Sequence, residues 1–200
     1  MKILKTAAVI VAVLIAGNAI AADRQVAGRS LDAWQQALGS PKRTERLRAA
    51  LTLPQFGRDA IPTLRGALDH KDPGVRYWAA SGLGDLGFKQ AAGGKPSEKT
   101  TIKLATMLGD KSVGLRISAA YALCRLGSID KGLPVLIKAL EHPHRGVACS
   151  AADFLARIGA PAAAAVPALQ QAARHKDYHV QGASSEALRR IKASGQERRP

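Results

Sequence analysis

Aromatic side chains are scarce in this chain: two Trp, three Tyr and three Phe among 200 residues. A core built on large rings is excluded, and abundant alanine suits helices that pack closely. Acidic residues are also few. Fifteen Asp plus Glu stand against 30 Lys plus Arg, a formal charge of +15. That excess predicts attraction to polyanions, such as anionic lipid head groups, acidic or sulfated glycans, or nucleic acid, and selects none of them. Long apolar runs are missing except at the start. There, Lys2 and Lys5 precede the run Ala7 to Ala16, and Ala19-Ile20-Ala21 supplies a small-x-small pattern.

This is the pattern of a secretory signal peptide, with cleavage expected after Ala21 or, as the alternative, after Ala22. The apolar core falls short of the roughly 20 residues that span a bilayer. No second long apolar segment follows, so the mature chain is expected to carry no integral membrane segment and to be periplasmic or secreted. Loss of Lys2 and Lys5 with the leader takes the formal charge to +13.

Glycine and proline punctuate the remainder instead of clustering in a linker, and its length suits one domain with a sizeable core. Sliding the chain along itself shows why. Val75-Arg76-Tyr77-Trp78-Ala79-Ala80 lies over Leu115-Arg116-Ile117-Ser118-Ala119-Ala120 at an offset of 40 residues, and the match continues from Leu83, Leu86 and Gly87 to Leu123, Leu126 and Gly127. A further 32 residues brings in Val147, Ala151, Ala152, Leu155, Ile158 and Gly159. Another 33 brings in Val180, Leu188 and Ile191, with Ser184 and Ser185 replacing the Ala pair. Thirty residues back, Arg46, Ala49, Ala50, Leu53, Phe56 and Gly57 fit as well. Self-similarity at such a period is the signature of a solenoid.

A second pattern precedes several of these stretches, in Ile61-Pro62-Thr63-Leu64, Leu133-Pro134-Val135-Leu136 and Val166-Pro167-Ala168-Leu169. Proline is tolerated in a first helical turn, so these are read as helix starts. Leu31, Trp34 and Leu38 are the equivalents in the first unit, and Ile102, Met107 and Leu108 in the third. Each unit is then two antiparallel helices, A and B, joined by a short polar turn.

The period, the A-helix proline and the B-helix pattern D-x-x-V-R-x-x-A-A-x-x-L-x-x-L-G resemble the HEAT-repeat family, in its short bacterial, phycobilisome-lyase-like branch. The resemblance implies an all-α, right-handed α-solenoid of about five helix pairs that presents a surface to partners. The expected organisation is a signal peptide over 1–21, an N-terminal linker over 22–29, a repeat domain over 30–193 and a disordered tail over 194–200. Within the repeat domain the units are about 30–60, 61–100, 101–131, 132–164 and 165–193.

Most distinctive residues then have a repeat-structural reading. Asp72 precedes helix B and can cap it, with Pro73 at the first helical position. Arg76, Arg116 and Arg46 recur at one place. In similar repeats such an arginine pairs with an acid of the neighbouring unit, a ligand contact being the alternative. Gly87, Gly127 and Gly159 are expected to end helix B in the left-handed conformation open to glycine. His70, His142 and His175 share one place in the A–B turn and read as polar turn residues. His175-x-x-x-His179 spans a turn, which is poor zinc geometry, so no metal, cofactor or catalytic residue is assigned. Cys124 lies two helical turns beyond the position equivalent to Cys149, about 10 Å along the helix axis and too far for a disulfide, and both are expected to be buried thiols.

Tyr77 and Trp78 escape this account. The positions equivalent to Trp78 hold Ser118 and Ser150, so Trp78 is expected to be partly exposed, either as an interface anchor or packed on a nearby insertion; Tyr77 is expected in the core. The stretch DPGVRYWAA also resembles HEAT-type repeats that follow the catalytic domain in some secreted bacterial sulfatases. The sulfatase signature C/S-x-P-x-R is absent, so that likeness implies an accessory module and no sulfatase activity. The insertion, residues 88–99, contributes Lys89, Lys95 and Lys99. With Trp78 and Tyr77 these are the candidate partner contacts.

Two functions remain in view. One is a non-enzymatic exported scaffold that binds another protein; the other is a module that binds an anionic polymer. Export disfavours nucleic acid, and a bilin-type lyase lacks any supporting site. Cations lining one concave face favour the polymer, whereas scattered cations with an apolar patch around Trp78 favour a protein.

Overall fold

The computed structural model describes residues 24–90 and 97–196, so the expected signal peptide, Lys95 and residues 197–200 lie outside the described residues. Ten α-helices among the described residues form five pairs stacked in one solenoid. Unit one has α1 (Leu31–Ala37) and α2 (Arg43–Thr52), and unit two has α3 (Ile61–Ala67) and α4 (Pro73–Gln90). Units three and four have α5 (Glu98–Met107) with α6 (Val113–Arg125), then α7 (Ile129–Ala139) with α8 (Arg145–Ile158). Unit five has α9 (Val166–Ala172) and α10 (Tyr178–Gln196). Among the described residues, no helix is long and apolar enough to cross a membrane.

The B helices make the continuous spine, with α2 on α4, α4 on α6, α6 on α8 and α8 on α10. Each A helix anchors to it through one fully buried residue at an equivalent position: Trp34, Leu64, Leu104, Leu136 and Leu169. The alanine pairs 49–50, 79–80, 119–120 and 151–152 are completely buried, because a larger side chain there would push neighbouring helices apart. Helix α6 is the shared wall of the core. Leu115, Ala119, Ala122 and Leu123 face the cluster of units one to three, while Ile117, Ala120, Tyr121 and Cys124 face that of units three to five. A helix apolar all round is a buried helix.

The A–B turns repeat one device. The side chain at its first position accepts the backbone N–H two residues on: Ser40 Oγ from Lys42 (3.2 Å), His70 Nδ1 from Asp72 (3.0 Å), Asp110 Oδ1 from Ser112 (2.8 Å), His142 Nδ1 from His144 (3.0 Å) and His175 Nδ1 from Asp177 (3.0 Å). His70 and its equivalents are thus turn acceptors, interchangeable with Ser and Asp because all three offer a lone pair at that reach.

Several expectations need correction. Gly87 does not end a helix: α4 runs on to Gln90, and a Cβ on Gly87 would lie 2.7 Å from Leu126 Cδ2, so it is small to admit α6. Gly159 does end its helix with positive φ, but its ψ of −141° lies outside the left-handed helical well, in territory open to glycine alone. Pro134 sits inside α7, which begins at Ile129, one turn earlier than the pattern implied. Ile102 is 58% exposed on α5, whose buried face is Thr100, Leu104 and Met107. Residues 25–29 of the expected linker, together with Ser30, form a hairpin, β1 (Gln25–Val26) with β2 (Arg29–Ser30), tied to α1 by Trp34 Nε1 donating to Val26 O at 2.9 Å. Ser194 to Gln196 continue α10 and are not a disordered tail, since the Ser194 hydroxyl bonds back to Arg190 O and Ile191 O. The insertion begins as the last three residues of α4 and ends as the start of α5.

A candidate interaction surface on the B helices

Asp72 places its carboxylate where three elements meet. Oδ1 accepts the Gly74 N–H at 2.9 Å, capping α4, and Oδ2 accepts from Arg46 of unit one at 2.9 Å, with Arg43 at 3.3 Å. Burial alone raises an acid's pKa. Here the Arg46 bond, the Gly74 N–H and the two guanidinium charges outweigh it and hold Asp72 below the usual carboxylate range. Pro73 opens α4. Arg76 repeats the Arg46 arrangement: its Nη1 donates to His70 O and Lys71 O, and its Nη2 lies 3.9 Å from Asp110 of unit three. Arg116 holds its own turn likewise, through Asp110 O and Lys111 O, and has no acid across the junction among the described residues.

Tyr77 and Trp78 are both half-buried. Tyr77 lies between the two core clusters, its ring edge-on to Trp78 at 5.0 Å and 6.4 Å from the Phe154 ring of unit four. Its phenol is pushed above the usual value by burial. Trp78 packs against the cluster of units one to three instead of standing free. Lys99 is exposed on α5, lining a groove between α3 and α5 with Arg65, Lys103 and Ile102. The side chain of Lys89 and the whole of Lys95 lie outside the described residues. The five candidate contacts therefore do not form one cluster, because Lys99 belongs to the A-helix side and Trp78 to the spine.

The repeat alignment overlooks a set that the structure brings together. Asp85, Arg125 and Arg157 occupy one position in α4, α6 and α8. Tyr121 Oη donates to Asp85 Oδ1 at 2.6 Å, Arg157 forms a short ion pair with the same carboxylate, and its guanidinium lies 4.6 Å over the Tyr121 ring. Tyr121 stacks on Phe154 at 4.5 Å, Arg125 Nε donates to Gly84 O at 3.3 Å, and Arg125 Nη1 donates to Arg157 O at 2.5 Å. Burial, then the Asp85 carboxylate, drives the Tyr121 phenol far above its ordinary value. Units two and four are thus within side-chain reach of each other across α6. Opposite charges recurring at one repeat position were the sequence signal for this network.

The thiols are separate and free. Cys124 is buried, and burial pushes it up to about 12; Cys149 is only half-buried, because α8 turns that position toward the unit-five turn and Asp177. Among the described residues, no three of His, Cys, Asp and Glu converge so as to hold a metal ion.

Comparison with known proteins agrees with this architecture. The family described as HEAT repeats matches residues 31–124, 101–166 and 133–199. A solved engineered protein is 22% identical, covers 82% of this chain and 80% of its own, and has a TM-score of 0.52. The complex of CpcE and CpcF of phycocyanin lyase from Nostoc sp. PCC7120 is 22% identical over 88% of this chain and 71% of its own, with a TM-score of 0.53. At such identity these structures bear on the fold alone. No curated protein matches the chain. With repeat matches running from Leu31 to the last turns of α10, the chain belongs to the HEAT-repeat family.

Proposed function

We propose that this protein is an exported, non-enzymatic HEAT-repeat scaffold that binds another protein along the outside of its stacked helices. The observation that carries this reading is the repeat itself: it accounts for nearly every described residue and leaves specificity to surface grooves between units. HEAT repeats generally serve as protein-interaction scaffolds, which supports the same partner class. Export rests on Lys2, Lys5, the apolar run from Ala7 and the Ala19-Ile20-Ala21 pattern, and places the chain in the periplasm or outside the cell.

The second reading, an acidic or sulfated polymer as ligand, draws on the cation excess. Exposed cations are spread over A helices (Arg65, Lys138), turns (Lys71, Lys111) and B helices (Arg48, Arg190). That scatter favours the protein partner, since a polymer is held best by one continuous stripe.

Affinity capture from a periplasmic extract at low and high salt tests the choice. A single stoichiometric protein that survives high salt supports the scaffold. Recovery of an anionic polymer in place of any protein, lost at high salt, supports the polymer and sinks the scaffold reading.

A further inference from the structure

One repeat position holds an arginine that is matched across the junction twice and then left unmatched. Arg46 meets Asp72 of the next unit, and Arg76 meets Asp110. Arg116 is the third in the series and spends Nη1 on the carbonyls of its own turn, as Arg46 and Arg76 do. In unit four, however, the places of Asp110 and Asp72 are taken by His142 and His144. The guanidinium instead lines an open groove between units three and four, with Lys138 and His142 beside it and Val113, Ile117 and Val135 as apolar walls. Glu141, the one acid of the lining, is exposed and makes no ion pair with Arg116.

We propose that this groove binds an acidic peptide segment of a partner protein. An Asp or Glu carboxylate of the partner takes the place opposite Arg116 that Asp72 and Asp110 take opposite Arg46 and Arg76, and an apolar neighbour in that segment packs on the half-buried Val113 and Val135. The proposal rests on the scaffold reading and adds to it the place and the chemistry of recognition. The chain's own pairs are the template for the ligand: a carboxylate reaching this arginine from the adjoining unit. The planar fork of arginine suits a carboxylate, and Lys138 adds positive potential without competing for the same geometry. The apolar walls favour a peptide over an acidic sugar, which brings charge and hydroxyls but no aliphatic side chain to cover them.

The test is an amide-resolved NMR titration of the purified protein with acetyl-Leu-Asp-Leu-amide and its neutral Asn analogue. The Asp peptide is expected to give saturable shifts at Val113, Arg116, Ile117 and Lys138, and the Asn analogue to bind roughly tenfold more weakly or worse. His142→Asp keeps a turn acceptor and puts an acid opposite Arg116, as in unit three. It is expected to abolish peptide binding and raise Tm. Arg116→Gln is expected to weaken binding by about tenfold or more, while Lys111→Gln on the same turn changes it less than about twofold. Should Arg116→Gln fail to fold for want of its turn bonds, His142→Asp decides alone. Equal binding of the two peptides, shifts confined to other units, or undiminished binding in His142→Asp would overturn the proposal. So would an oligogalacturonate that shifts these residues where the peptide does not. A protein partner captured equally by wild type and His142→Asp would sink this site while leaving the scaffold reading intact.

Discussion

The Asp72 carboxylate, only 5% exposed, caps one unit while holding two guanidinium groups of the unit before it. Asp72→Asn keeps the cap acceptor but removes the charge, and is expected to cost about 2–4 kcal/mol, measured by urea unfolding at neutral pH. The sign with pH follows from the depressed folded-state pKa. The contribution is fully present above the ordinary carboxylate value of 3.8 and is lost as pH falls below it toward the folded-state value. Wild type and Asp72→Asn should therefore converge in stability in that acidic window; a gap that persists there would refute the assignment. The two thiols make a second residue-scale prediction. With Cys124 buried and its pKa near 12, Cys149 is expected to react first with a thiol reagent at pH 8, and Cys124 only on unfolding, as mass spectrometry of timed samples would show. Periodicity made Asp72, Arg76 and the turn histidines legible, because each unit repeats their surroundings. It hid Asp85, whose ion-pair partner Arg157 lies two units away, and Tyr121, which stands between them.

At the scale of the helix, glycine has opposite meanings that the sequence cannot separate. Gly132 lies in α7, where a Cβ would meet the Ala120 carbonyl oxygen at 2.3 Å and Cys124 Sγ at 2.6 Å. Backbone cannot step aside cheaply, so Gly132→Ala is expected to cost about 2–3 kcal/mol despite alanine's better helix propensity. Gly66, in α3, has nothing within 4 Å of that point, and Gly66→Ala is expected to gain about 0.5–1 kcal/mol. Thermal and urea unfolding of the two variants reads both signs, and equal effects would show that α6 and α7 are not packed as described. The same reasoning explains Pro134 and Ile102. An apolar period announces a helix, but its first turn and the outer edge of its buried face depend on the neighbour it meets. Where α7 starts a turn early, the proline falls inside. Where α5 rotates Leu104 into the core, Ile102 faces outward.

On the scale of the whole molecule, stability is a sum of units and their junctions. The Asp85–Tyr121–Arg157 network spans two successive junctions of the spine, yet its charges are partly exposed. Arg157→Gln is therefore expected to lower overall stability by only about 1 kcal/mol. Its larger effect should be on cooperativity: one unfolding transition is expected to separate into two, seen as distinct hydrogen-exchange classes for α4 and α8. A single undivided transition in that variant would mean that packing through α6 suffices. The five helix pairs were readable from the period alone. The link between units two and four was not, because it depends on how far side chains reach between units that are not sequence neighbours.

That reach has a mechanical consequence. A stack of helix pairs is a spring, and its pitch is soft wherever only adjacent coils touch. The Arg157 side chain, seated on Asp85 two coils away, acts as a splint across the middle turns. Under tension the end coils should open first, while the central three keep their spacing until this pair and the packing of Tyr77 on Phe154 are broken.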